Sequence, residues 1–334
     1  METPPVIKRP PNLFDKTQPI IQQLEKILDG RLICYWMSPG GSVCQNDVNA
    51  FYEILESLTF TDNLYLFIKS DGGNGRASLR MINLLRQKCR KLIALVPLNC
   101  ESAATMLALG ADEIQMGPMA FLTPVDTSIR HDLCPVDKDN DIVSIGTNEL
   151  ERIIAGWNKN ASKTDENVFK HLYAHIHPLA IAAVDRAGSL SNMLCDQIMS
   201  YHMSDAKKRR RISKILNSDY PSHGYPIVAK EARRIGINAI DLDEKISRKL
   251  IELNEIYSEM GQKCRTDFNP HHHRDNEILN ILECQGKMMY YELDKEWHYS
   301  ESDRTWRFTN EKSSYRMRQL GKNNKVMDIP FHVR

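Results

Sequence analysis

Residues 92–110 read LIALVPLNCESAATMLALG, and the change of character within this stretch decides the fold. The run 92–97 is short, apolar and ended by proline, which predicts a buried strand. Residues 103–110 are helix-forming residues closed by a glycine, which predicts a helix. Ser102 lies at the junction, where the free N–H groups and the dipole of the helix favour a developing negative charge. Ser102 is therefore interpreted either as a helix N-cap or as a nucleophile.

A second element upstream favours the nucleophile. Residues 64–68 predict another buried strand, which runs into a turn that contains Gly72 and Gly73. Glycine lets backbone N–H groups come close to a ligand oxygen, as an oxyanion hole requires. Gly73 lies 29 residues before Ser102, a separation that accommodates one helix and one returning strand. Both turns are therefore expected at the same edge of a parallel sheet.

Five motifs follow one another along the chain: DGG at 71–73, SAAT at 102–105, ADEI at 111–114, LTPVD at 122–126 and HGYPI at 223–227. In this order they resemble the serine dehydrogenase proteinase family of the Clp-protease/crotonase superfamily, which is related to the Clp proteolytic subunit and to signal peptide peptidase A. The resemblance implies an α/β fold, a repeated ββα-type spiral with a mostly parallel sheet and a helical handle. It also implies a serine peptidase that acts on a peptide or unfolded protein.

Acyl transfer needs a nucleophile and N–H donors for the oxyanion. Ser102 is the candidate nucleophile, and the backbone N–H groups of Gly73 and Ala103 are the candidate oxyanion hole. With these groups the chain is expected to cleave peptide bonds through an acyl-enzyme on Ser102. Acyl-CoA chemistry of the crotonase kind is a less favoured reading, because a serine at this turn has no role in it.

The general base is less well defined by the sequence. Resemblance to the Clp subunit places a histidine shortly after the serine, where this chain has Asp126 and no histidine. His223 has the most suitable ordinary pKa for a base, and Asp126 or Asp219 could orient it. Lys69 is the alternative, because signal peptide peptidases use a serine–lysine dyad.

Four positions depart from the pattern of the family that the chain resembles. Asp71 replaces a proline, Lys69 a histidine, Thr123 a glycine, and Gly224 an acidic neighbour of the histidine. Each departure touches a group that supports the nucleophile or the base. The second hypothesis is therefore a catalytically inactive scaffold that uses the inherited fold for assembly or ligand binding.

The composition limits the class of protein. The chain has 334 residues, of which 42% are apolar, and a net charge of +1 with a pI of about 7.6. This balance predicts no nucleic-acid partner, and eight scattered cysteines are typical of a reduced interior. No leader-like run and no apolar run of about 18 residues is present. We therefore expect a cytoplasmic protein with no membrane span and no cofactor.

The sequence divides into three parts. Residues 1–25 are interpreted as a proline-rich arm, 26–262 as the peptidase domain and 263–334 as a small β-rich extension. Residues 147–214 predict the helical handle. Apolar side chains in the segment 147–203 exceed what one small sheet can cover, which predicts a homo-oligomer.

Several other patterns are interpreted without a catalytic role. Gly41 ends the first predicted strand but is separated from Ser102 by an extra helix and strand. His171 and His175 share one face of a predicted helix, and no further zinc ligand lies near them in the sequence. The basic run 207–211 is interpreted as a solvated helix face, and the histidines 271–273 as part of a loop. No metal site is predicted.

Overall fold

The computed structural model describes residues 5–138, 141–160, 168–321 and 325–331. Most strands belong to one sheet of 11 strands. In chain order the strands are β1 (Arg31–Met37), β2 (Thr61–Lys69), β3 (Cys89–Val96), β4 (Asn99–Cys100), β5 (Glu113–Met116), β6 (Phe121–Leu122), β7 (Ser128–Ile129), β8 (Ile145–Gly146), β9 (Ala239–Asp241), β10 (Cys264–Asn269), β11 (His272–Cys284), β12 (Lys287–Ser300), β13 (Thr305–Glu311), β14 (Ser314–Leu320) and β15 (Val326–Phe331). The helices are α1 (Phe14–Leu28), α2 (Gln45–Glu56), α3 (Gly75–Arg86), α4 (Ala103–Leu109), α5 (Thr147–Asn160), α6 (Val168–His175), α7 (Pro178–Ser200), α8 (Ala206–Lys214), α9 (Ala229–Ile235) and α10 (Glu244–Met260), with a π-helical turn at Ile215–Asp219.

The centre of the sheet is parallel, in the order β1-β2-β3-β5-β9. Its strands are nearly continuous apolar runs because helices cover both faces. Side chains on one face pack with α2, α3 and α4, and those on the other face pack with α1 and α10. The expected α/β class with a parallel sheet core is confirmed.

Two short strands next to the sheet bring distant parts of the chain together. β4 pairs with β6 in parallel, with Cys100 opposite Leu122. Cys100 also forms a bridge with Ser70, just after β2. Leu122 exchanges two backbone hydrogen bonds with Ile227, at 2.8 and 3.0 Å. The end of β2, the turn after β4, the segment after β6 and the segment before Ile227 therefore meet at one edge.

The C-terminal strands continue the same sheet on the other side of β1. β11 pairs antiparallel with β1, and β12, β14 and β15 follow outward. The predicted β-rich extension therefore shares its hydrogen bonding with the parallel core. The sequence predicts a loop at His272 and His273, but both residues lie in β11. That prediction is wrong, because the strand begins directly after the preceding turn.

The N-terminal helix occupies much of the segment that the sequence predicts as a proline-rich arm. α1 begins at Phe14, which is fully buried, and its apolar side chains pack with those of α10 in one core cluster. The expected boundary between residues 25 and 26 falls inside this helix. The division at residues 262 and 263 stays a prediction.

The region predicted as a helical handle contains α5, α6, α7 and α8. Residues 161–167 of that region lie outside the described residues. Leu194 and Ile198 of α7 pack into the main core, whereas Leu179 and Met193 are about three-fifths exposed. Among the described residues, no helix is long and apolar enough to cross a bilayer.

Candidate active site

Ser102 occupies a strained turn between β4 and α4. Its φ and ψ angles are 50° and −115°, a conformation that costs a residue other than glycine about 1–3 kcal/mol. Its amide donates a hydrogen bond of 2.8 Å to Oγ1 of Thr123, a buried residue that follows β6 directly. Ser102 stands at the N-cap position of α4, yet its side chain makes no capping hydrogen bond. The geometry therefore favours the nucleophile over the cap.

The glycine pair lies against this turn. Gly72 and Gly73 have φ angles of 102° and 142°, which L-residues rarely adopt. A Cβ atom on Gly72 would lie 2.7 Å from Cβ of Ser102, and one on Gly73 would lie 2.4 Å from the carbonyl oxygen of Val43. Sequence reasoning selected Gly73 alone, but Gly72 is the glycine that touches Ser102. The absence of a side chain on Gly72 allows its turn to approach that of Ser102, and the absence of one on Gly73 allows the close approach of Val43.

The Gly73 and Ala103 amides are the proposed oxyanion donors. In the part of the chain that the structure describes, neither N–H group donates to a backbone carbonyl. Ala103 is the first residue of α4, where N–H groups have no partner within the helix. The adjacent Gly72 amide is engaged by Ser70 Oγ at 3.0 Å. Among the described contacts, both amides therefore keep free donor capacity.

His223 and Asp126 form the candidate base and its orienting carboxylate. Nδ1 of His223 lies 2.9 Å from Oδ1 of Asp126. The Asp126 side chain is mostly buried, whereas the His223 ring is half exposed. The hydrogen bond to Asp126 raises the pKa of His223 above its ordinary value, against the opposing effect of burial. The Leu122–Ile227 bridge and the Thr123 hydrogen bond connect the segments that carry this pair to the turn of Ser102.

Asp219, the other candidate for orienting the base, and Lys69, the alternative base, lie apart from the His223–Asp126 pair. Asp219 is exposed at the end of the π-helical turn, and no hydrogen bond or ion pair joins it to His223 among the described contacts. Lys69 donates a hydrogen bond of 2.8 Å from Nζ to the Met37 carbonyl and lies over the Trp36 ring. Burial lowers the pKa of Lys69, as a serine–lysine dyad would need, but its ammonium group is directed at β1.

A polar cluster that sequence reasoning missed borders the nucleophile. The amide of the Asn99 side chain donates to Asp71 at 2.5 Å and to Glu101 at 3.2 Å. The negative charge of Glu101 acts on Lys69 and also contributes to the raised pKa of His223. Thr123 was noted in the sequence only as a departure from glycine. The signal that could have identified its role is the register of β4 with β6, which places residue 123 beside the serine turn.

The hydroxyl of Ser102 makes no hydrogen bond to any of the described residues. Catalytic hydrogen bonds often form only when substrate is bound. A cavity of about 100 Å³ borders Asp126, and a larger cleft of about 790 Å³ is lined by residues 116–120 and α10. The larger cleft contains none of the candidate catalytic residues, so its volume does not mark the chemistry.

Comparison with known proteins places the chain in a family. Residues 48–280 match the family model described as ClpP-like SDH-type serine proteinase. The match covers more than half of the chain, and the protein belongs to this family. The expectation from the ordered motifs is confirmed.

The similar proteins include two uncharacterized proteins of Methanocaldococcus jannaschii. One is 28% identical over 207 residues, which are 62% of this chain and 63% of the relative. The second is 24% identical over 215 residues, 63% of this chain and 64% of the relative. The chain thus matches slightly less than two thirds of the length of these relatives.

Two solved structures are also similar. A mutant of the 1510-N membrane-bound stomatin-specific protease has 12% identity and a TM-score of 0.36, over 67% of this chain and 83% of that one. A ClpP1 mutant from Listeria monocytogenes has 15% identity and a TM-score of 0.34, over 67% of this chain and 99% of that one.

Proposed function

We propose that the protein is a serine peptidase in which Ser102 is the nucleophile, His223 the general base and Asp126 the group that orients the base. The observation that carries the proposal is the 2.9 Å hydrogen bond between His223 and Asp126. Thr123, three residues before Asp126, accepts a hydrogen bond from the amide of Ser102 in its strained turn. A nucleophile, a base and an orienting carboxylate at one edge are the elements of acyl-transfer catalysis.

Each of these groups has a defined role in the proposed acyl-transfer reaction. Because Nδ1 of His223 is held by Asp126, Nε2 is the nitrogen that takes the proton from Oγ of Ser102 as Oγ attacks the substrate carbonyl. The amides of Gly73 and Ala103 stabilise the oxyanion. The imidazolium then gives its proton to the leaving amine, and the ester on Ser102 is cleaved by water that His223 activates.

Labelling with a fluorophosphonate tests the nucleophile. The phosphonyl group should be found by mass spectrometry on the peptide that contains Ser102, and Ser102→Ala should remove it. Ser200→Ala is the matched control, because Ser200 is an exposed serine whose hydroxyl bonds the Gln197 carbonyl. Labelling of a different serine would refute the role of Ser102. A folded wild-type protein that neither labels nor cleaves unfolded substrates would favour the inactive scaffold instead.

The competing base is tested by paired substitutions. His223→Ala should abolish most of the activity, whereas Lys69→Ala should retain it, because Nζ of Lys69 is bonded to the Met37 carbonyl. His175→Ala, an exposed histidine on α6, controls for the loss of an imidazole. The opposite result, with Lys69→Ala inactive and His223→Ala active, would establish a serine–lysine dyad.

A homo-oligomer that acts on peptides or unfolded proteins completes the proposal. The exposed apolar side chains of Leu179 and Met193 on α7 support an interface on this helix. Light scattering over a hundredfold dilution is the test, with Met193→Asp expected to shift the protein toward single chains. A mass near 38 kDa for the wild type at every concentration would exclude the oligomer.

A further inference from the structure

A cluster of metal-binding side chains lies on the C-terminal hairpin, outside the peptidase site. His272 of β11 is directly opposite His298 of β12 in the antiparallel register, and Glu296 lies two residues before His298. Side chains two apart on a strand point to the same face. One ligand atom from each of the three residues lies within 4.8 Å of the other two. Two imidazoles and one carboxylate therefore converge on the same face of the sheet.

The immediate geometry favours a shared ligand. Nε2 of His272 lies 2.6 Å from Oε1 of Glu296. The rings of His272 and His298 are stacked, with their centroids 3.9 Å apart and their planes 19° apart. Phe268 stacks on the opposite face of His272, at 4.3 Å, which limits its rotation. The lone pair of an imidazole nitrogen lies in the plane of its ring, so the His298 ring must rotate out of this stack for both imidazoles to bind one ion.

Neighbouring positive charges are neutralised by other groups. Arg274, the residue opposite Glu296, forms two hydrogen bonds with Asp294, at 2.6 and 2.8 Å. Arg307, opposite His298 on β13, is paired with Asp303. Among the described ion pairs, Glu296 is paired with His272 and with neither of these arginines. Its carboxylate is therefore available as a metal ligand.

We propose that His272, Glu296 and His298 bind one divalent transition-metal ion of the zinc type. Imidazole nitrogens favour zinc, cobalt and nickel over calcium and magnesium, which prefer oxygen ligands. Metal–ligand bonds of about 2.0–2.2 Å require the three ligand atoms to move closer by side-chain rotation, which the exposed His298 permits. Three protein ligands leave a coordination position for water or an outside ligand. The sequence patterns predict no metal site, because the sequence alone does not give the register in which β11 and β12 pair and bring these residues together.

Cobalt titration of the full chain tests the site. After treatment with a chelator, the wild-type protein should take up one equivalent of Co²⁺ with the visible absorption of a four-coordinate ion, and Zn²⁺ should displace it. His298→Ala is the main variant, because this side chain is exposed and its loss leaves the hairpin folded. We expect its affinity for Co²⁺ to fall by about 100-fold or more, since even changes outside the ligand set cost about 10–100-fold. Glu296→Gln should weaken binding in the same direction.

His271→Ala is the matched control, because His271 is exposed in the preceding turn and its ring lies tilted against Tyr299, with the centroids 5.7 Å apart. Its Co²⁺ affinity should equal that of the wild type, and circular dichroism should show all variants folded. Absence of Co²⁺ uptake by the wild type, or uptake unchanged in His298→Ala, would overturn the site. Equal weakening by His271→Ala would show that the ligand set is wrong. None of these results depends on peptidase activity.

Discussion

The parallel half of the sheet, β1 to β9, and the antiparallel half, β10 to β15, hold their polar groups in different places. In the parallel half the buried strand residues are almost all apolar, and the candidate catalytic groups lie in segments that follow strands, as Ser102 and Asp126 do. In the antiparallel half buried polar groups lie along the strands themselves. The buried polar residues of β11 and β12 are His273, Arg274, Asp275, Asn276, Asn280, Glu283, Glu292 and Asp294.

The difference follows from how each half is covered. Helices cover both faces of the parallel strands, so a polar group within them needs a partner on a helix, as Tyr35 has in Asp47 of α2. An antiparallel hairpin places residues of two strands directly opposite each other, so charged groups can pair across it. Arg274 and Asp294 pair diagonally across it, since Arg274 is directly opposite Glu296. Functional polar groups are therefore expected at the edge of the parallel half and on the face of the antiparallel half.

The largest expected effect separates the two halves by activity. His223→Ala should lower kcat/KM by about 10²–10⁴-fold, the usual contribution of a general base. His271→Ala, in the antiparallel half, should leave kcat/KM unchanged. Hydrolysis of an unfolded protein substrate measures both. Equal losses would mean that activity does not depend on the edge of the parallel half.

A smaller effect concerns the pH profile. The base must be neutral, so activity should rise with pH through the raised pKa of His223. Asp126→Asn removes the charge that raises this pKa, and the rise should move to lower pH while kcat falls. The profile of kcat/KM against pH is the measurement. A shift caused by Asp219→Asn, with none in Asp126→Asn, would assign the orienting role to Asp219.

The next prediction concerns a buried acid of the antiparallel half. Burial raises the pKa of Glu283 to about 7, while Thr17, Gln18 and Tyr257 bond its carboxyl group. A raised pKa gives stability that is present below about pH 4.5 and is lost as pH rises through 7. Glu283→Gln cannot ionise and should be more stable than the wild type above pH 8, by on the order of 3 kcal/mol. Urea unfolding at pH 5 and pH 8.5 tests this, and an equal difference at both pH values would contradict it.

The smallest effect returns to the strained turn. Ser102→Gly removes the strain of the positive φ angle at this position, whereas Ser102→Ala retains that strain. Both substitutions remove the nucleophile. After the entropy cost of glycine is subtracted, the glycine variant should be about 1 kcal/mol more stable than the alanine variant. Urea unfolding at pH 7 compares them. A less stable glycine variant would show that the turn carries no strain.

The sequence predicted the parallel half better than the antiparallel half. The apolar run 31–37 predicts a strand, which coincides with β1, and the helical pattern after the glycine turn begins at residue 76, one residue after the start of α3. Clear turn residues bound both elements. The patterns over 288–293 and 296–300 predict two strands, whereas the structure has one long strand, β12. Alternating polar residues and a register shift opposite residues 278–280 conceal its continuity.

The candidate site was predictable in part. Residue type and spacing selected Ser102 and Gly73 as candidates, because both lie in turns that follow strands the sequence defines. Sequence reasoning left Asp126 and Asp219 as alternatives, since their distances from His223 depend on the loop that follows β6. The contact of Gly72 with Ser102 could not be foreseen, because it depends on how two turns meet in space.

The position of β1 has a consequence for how the chain can be divided. This strand bonds β2 on one side and β11 on the other, so it is an interior strand only while the C-terminal hairpin is present. A chain cut after residue 262 would expose the backbone groups of β1 along a flat apolar edge. Such an edge is a template for pairing with other chains. The parallel half and the hairpin are therefore expected to fold as one cooperative unit and to be produced and purified only together.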